Sequence, residues 1–185
     1  GDPARHATLG RQRGRRLIFR CRPRVACLAG RLSSNVRPQN MLLPRESALR
    51  FIECYKAILL QVLEATDMAR TKSITDDLAA ARTQAKDRPE LIVQAIEAVN
   101  ATGNGIDADV AAAVQGMKVD QWVYLRHTKT FAVFIDKKVE NAYEVRALTT
   151  PLNELLGEPP FTFEAGVFEY MGLFVCDGLV LNPVA

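Results

Sequence analysis

The stretch VDQWVYLRHTKTFAVFIDKKVENAYEVR (119–146) decides the fold. Residues 121–126 (QWVYLR) alternate apolar and polar, HTK makes a turn, and TFAVFID (130–136) alternates back. A period of two marks a strand with one buried face, so these segments predict a hairpin. The polar KKVEN loop leads to AYEVRALT, a third strand with Tyr143, Val145 and Ala147 on one face and Glu144 and Arg146 on the other. TTPLNELLG then predicts a short helix, with Thr150 at its cap and Pro151 in its first turn. FTFEAGVFEY and LFVCDGLVL complete the set as strands joined at Met171-Gly172, where glycine supplies the positive φ of a tight turn. Asp177-Gly178 marks a bulge or a second turn.

Before Gly116 the period is helical. Phe51, Ile52, Tyr55, Ile58, Leu59, Val62 and Leu63 recur at three- and four-residue spacing, with Glu53, Lys56 and Glu64 opposite, which predicts a helix from Ser47 to about Met68. Ser73 with Asp76 suits the N-cap of a second helix. Asp87 is expected to cap a third, ended by Gly103, and Asp107 to open a short fourth, closed near Gly116. Helices followed by strands argue for α+β: N-terminal helices packed on one face of a C-terminal antiparallel sheet of about five strands. No repeat or linker divides residues 41–185, so they are expected to form a single domain.

Residues 1–40 are different in kind. They hold ten arginines, no lysine and one acid, a balance of +9, whereas residues 41–185 hold 14 basic and 20 acidic side chains, a balance of −6. The densest part, RQRGRRLIFRCRPR, contributes Arg11, Arg13, Arg15, Arg16, Arg20, Arg22 and Arg24. Three readings of this segment stand side by side. Arginines that neutralise phosphates would make it a nucleic-acid arm, although Phe19 is its one aromatic for base stacking. An arginine-rich, acid-poor leader with Ser33 and Ser34 fits organelle targeting. The reading we favour starts translation at Met41, whose MLLPRESALRFI runs straight into the first helix, and treats residues 1–40 as non-native. Nucleic acid is then a partner only if that segment is native.

No apolar run reaches the roughly 18–20 residues of a membrane-spanning helix. Neither a P-loop, a dinucleotide GxGxxG, an HExxH nor a GxSxG occurs. Cys21, Cys27, Cys54 and Cys176 follow no zinc spacing, so no metal and no cofactor is expected, and a reducing, cytoplasmic setting suits them. Asp107 and Asp109 read as helix-capping acids, since IDADV lacks the glycine and distal glutamate of a calcium loop. His127, in the HTKT turn, would need an orienting partner to act as an acid or base, and a solvated turn histidine is the plainer reading. Cys176 beside Asp177 has no histidine in its motif and reads as strand packing.

The run VDQWVYLRHTKTFAVFIDKKVENAYEVRALTTPLNELLG, with VFEYMGLFVCDGLVLN after it, resembles a family of uncharacterised bacterial α+β proteins. These share a YLRH-like hairpin, a VFI strand, an AY-V strand, an LT-x-P-L-x-E-L segment and a D-G-L ending. The resemblance covers residues 41–185 and implies a bacterial cytoplasmic domain with no known activity. Cys176 stands where that family leads one to expect tyrosine or a similar apolar residue.

The functional expectation is a non-enzymatic module that binds a protein partner through an exposed strand stripe, Trp122, Tyr124 and Arg126. Nucleic-acid binding by the arginine segment is one alternative, and an enzyme using His127 is another. A homodimer is left open, because a long apolar last strand at a sheet edge would need covering.

Overall fold

The computed structural model describes residues 41–103 and 105–184, with side chains to residue 180. Four helices come first: α1 (Arg45–Ala65), α2 (Ile74–Asp87), α3 (Glu90–Ala101) and α4 (Ala108–Gln115). Then follow β1 (Lys118–His127), β2 (Ala132–Asp136), β3 (Ala142–Arg146), a short α5 (Leu152–Leu156), β4 (Phe161–Tyr170), β5 (Leu173–Cys176) and β6 (Leu181–Val184). The class is α+β, and the predicted order of elements holds throughout.

Of the expected helix caps one forms and three do not: Asp107 stands at the start of α4 without a side-chain cap bond, and Pro151, not Thr150, stands at the start of α5. The Ser73 hydroxyl accepts the Asp76 N–H at 3.3 Å, so the expected cap of α2 forms. Asp87, expected to cap α3, is instead the last residue of α2, and Pro89 stands at the start of α3. Proline fits that place because the first helical N–H groups have no partner to lose.

The sheet is mixed and closes on itself. β1 pairs antiparallel with β2, β2 with β3, β5 with β4, and β4 with β1. The one parallel pair is β3 with β5, Val145 opposite Phe174. Following the pairs gives the cycle β1-β2-β3-β5-β4-β1, the order of a five-stranded OB-type barrel, with β6 continuing the β5 strand direction along β4. LFVC therefore lies between two strands and is not an edge, which removes the argument for a dimer built on it.

Alternation sorts the side chains. Odd positions of β4 (Phe163, Ala165, Val167) fill the barrel with Trp122, Tyr124, Phe134 and Val145. Its later even positions, Phe168 and Tyr170, join Val175 in the layer under the helices. There the Phe51 ring of α1 lies flat on Phe168, centroids 4.3 Å apart. The helices thus cover one outer face of the sheet, as the sequence pattern predicts. Met41 enters the barrel core, and its carbonyl accepts the Ala147 N–H at 2.9 Å.

Candidate functional site

The expected strand stripe is not a surface. Trp122 and Tyr124 are inside the barrel, and only Arg126 is exposed. Trp122 donates its indole N–H to the Ala165 carbonyl at 3.0 Å and meets the Tyr143 ring edge-on at 5.3 Å. The physical reason is closure: Trp122 and Tyr124 share one face of β1, and closing the sheet turns that face inward to fill the barrel. Arg11, Arg13, Arg15, Arg16, Arg20, Arg22 and Arg24 lie outside the described residues.

His127 is half-buried, and its Nδ1 shares a hydrogen bond of 3.0 Å with the Tyr124 hydroxyl. Among the described residues no carboxylate forms an ion pair with it. Burial first, then the charge of Glu158, pushes the Tyr124 phenol up to about 12, so it stays neutral and is a poor activator of the ring. Cys176 is buried in the barrel, and burial together with Asp177 pushes its thiol up to about 12. Such a thiol is packing and not a nucleophile. Among the described residues no group of three or more His, Cys, Asp or Glu side chains is placed to hold a metal ion, and no helix is long and apolar enough to cross a membrane.

The charged chemistry lies elsewhere, on residues that carry no recognisable motif. Asp177, at the turn after β5, is buried. One of its oxygens accepts the Gly166 and Leu179 N–H groups, both at 3.1 Å. The other accepts Arg82 Nη1 at 2.9 Å and the Tyr55 hydroxyl at 3.3 Å. This carboxylate therefore ties α1, α2, β4 and its own turn together. Burial pushes Asp177 upward against the pull of Arg82 and the two backbone donors. Burial alone would lower Arg82, but Asp177, Tyr55 and Glu164 outweigh it and keep the guanidinium charged. Arg82 also donates to the Leu179 carbonyl, and its Nη2 sits 3.8 Å from Glu164. Its Nε and Nη2 are buried without a hydrogen-bond partner. A Cβ at Gly166 would lie 2.7 Å from the Asp177 carboxylate, so only glycine lets β4 pass this close.

Arg82 borders a cleft of about 720 Å³ where β1 begins and β2 turns into β3, roofed by α2 and α3. Its apolar wall includes Leu59, Ile92, Val114, Met117 and Trp122, and its rim carries Lys86, Lys118, Lys137 and Lys138. Lys118 Nζ stands over the Tyr143 ring, 5.6 Å from its centre. The far rim is the 137–141 turn, where Val139 holds φ +59° and the Asp136 carboxylate accepts Glu140 N–H at 2.9 Å and Asn141 Nδ2 at 2.8 Å. Asn141 and the neighbouring N–H groups hold Asp136 below the usual carboxylate range, against a smaller effect of burial.

One signal for this site is present in the sequence. Arg82 falls with Leu78, Ala81 and Ala85 on the apolar face of α2, and Asp177 interrupts an otherwise apolar strand. A charge on a buried face demands a partner, and these two satisfy each other. The lysine rim has no such signal, because Lys86, Lys118 and Lys137 are brought together only by folding. In comparison with known proteins, no protein-family model matches the chain, and neither a curated protein nor a solved structure does.

Proposed function

We propose that this chain is a non-enzymatic binding module of a bacterial cytoplasm, and that the cleft under α2 and α3 is where it binds. The observation that carries the reading is the cleft itself, whose size of about 720 Å³ and mixed apolar and basic walls are those of a ligand site. The strand stripe is set aside, since two of its three side chains are core. The groups that could do chemistry are committed elsewhere: Cys176 to packing, Asp177 to four donors, His127 to Tyr124. The free thiols of Cys54 and Cys176 suit a reducing compartment.

Val93→Trp tests the site. Val93 lines the cleft and is 44% exposed, so an indole there occupies the opening without disturbing the core. Titration with naphthalene dyes followed by fluorescence should give saturable one-to-one binding that this variant loses. Binding unchanged by Val93→Trp, or no saturable binding of any dye, would dismiss the cleft.

A second reading rests on the charge of +9 in residues 1–40. Arginines there would bind nucleic acid with an affinity that falls steeply with salt and vanishes on their deletion. Weak, salt-independent binding by the full chain would end that reading.

A further inference from the structure

We propose that the cleft takes a small amphipathic organic anion, with its charged head on Lys118, Lys137 and Lys138 and its apolar body against Ile92, Val93 and Met117. This rests on the cleft being the binding site and adds the chemistry of its occupant. Charge is the first ground. Of the five cations that border the cleft, Arg82 is answered by Asp177 and Lys86 by Glu164, which leaves Lys118, Lys137 and Lys138 as the ammonium groups at the rim, beside Asp120, Asp136 and Glu140. Two of the three carboxylates are engaged by their own neighbours. Asp120 accepts the Gln121 N–H at 2.7 Å, and Asp136 clamps its turn through Glu140 and Asn141. Lys86 answers Glu164 at 3.7 Å, whereas Lys118, Lys137 and Lys138 make no ion pair among the described residues.

The second ground is the wall. Ile92, Val93 and Met117 present hydrocarbon beside these ammonium groups, so the matching molecule has an apolar part as well as a charge. The third is the turn that carries Lys137 and Lys138. Val139 is a β-branched residue in the left-handed region and is 72% exposed, so no packing of its own side chain explains the conformation. Backbone strain of this kind persists where the surrounding structure fixes it, commonly at ligand sites. Here Asp136 does the fixing, and the result is two adjacent lysines held at the rim.

The test compares two dyes of similar shape on the full chain: anionic anilinonaphthalene sulfonate and neutral phenylnaphthylamine. The variant pair is Lys137→Glu with Lys138→Glu. A matched control reverses two exposed lysines away from the cleft, Lys72→Glu with Lys129→Glu, so the arginine segment and net charge are the same in both. The anionic dye should bind one-to-one and lose about tenfold or more in affinity in the cleft variant but not in the control. The neutral dye should bind more weakly and equally to all three proteins. Octyl phosphate and octanoate as competitors then distinguish a phosphate from a carboxylate head. Equal losses in variant and control, or an anionic dye that the cleft variant binds as well as wild type, would overturn the anion assignment. In that case a neutral dye still displaced by Val93→Trp would leave the cleft itself standing, whereas no binding of either dye would remove both.

Discussion

Replacing Asp177 by asparagine should be among the most damaging single changes the domain can receive. The side chain keeps its shape and one acceptor oxygen for Gly166 and Leu179 N–H, but its new amide then faces Arg82 Nη1, donor against donor, 2.9 Å away. The guanidinium, 2% exposed, is left with Glu164 at 3.8 Å as its nearest remaining charge. Breaking a buried ion pair by removing one partner costs about 3–5 kcal/mol, because the other charge stays buried. With a urea m-value of about 2 kcal/mol/M, the unfolding midpoint should fall by roughly 1.5–2.5 M at constant m. Urea titrations followed by tryptophan fluorescence report this directly, since Trp122 is buried in the barrel. Adding Arg82→Met to Asp177→Asn should restore part of the loss, since neither buried charge then remains. A midpoint shift under about 0.5 M for Asp177→Asn alone, or a double variant no better than the single, would refute the keystone role assigned to this pair.

Four further outcomes follow. Gly166→Ala should destabilise by at least about 2 kcal/mol, because its Cβ meets the Asp177 carboxylate and the Met117 sulfur; thermal unfolding measures it. Cys176, with its thiol pushed up to about 12, should resist iodoacetamide at neutral pH in the folded protein and react once urea is added, while half-buried Cys54 reacts in both; peptide mapping by mass spectrometry separates the two. Val139→Gly should raise stability by about 1 kcal/mol, the relief of left-handed strain exceeding the added freedom of the unfolded chain. Asn141→Ala should move the Asp136 titration upward in a carbon-detected NMR experiment, since Asn141 is the largest influence holding it down. The sign for stability follows: a depressed carboxyl stabilises above its unfolded pKa and loses that contribution as pH falls through the folded value, so wild type should gain least from Asn141 in acid.

How much of this was legible from residues alone differs between fold and site. The strands at QWVYLR and TFAVFID, the cap at Ser73 and the turn at Gly172 are local properties and form in the folded chain, although a register shift between Tyr124 and Arg126 breaks the alternation of β1 and β2 buries three residues in succession. Closure of the sheet is not local. It depends on β1 reaching β4, Trp122 opposite Phe163, across a separation that no window of sequence spans. That single pairing reverses the meaning of the Trp122/Tyr124 stripe: alternation says the two rings share a face, and only closure says which side of the barrel that face is on. The correction at Asp87 is of another kind. Asp suits the end of one helix poorly and the start of the next well, yet the Asp87-Arg88-Pro89 junction leaves room for Pro89 alone to open α3. The cleft needs α2, β1 and the 137–141 turn at once, so its lysines carry no signature before the chain folds.

The measurement that bears most directly on the account is an amide NMR titration of the isotopically labelled full chain with octyl phosphate. The account requires shift changes that saturate together and map to Lys86, Lys118–Asp120 and the 137–141 turn. Changes confined to residues 1–40, or scattered over the outer barrel face around Arg126 with the cleft amides still, would contradict it.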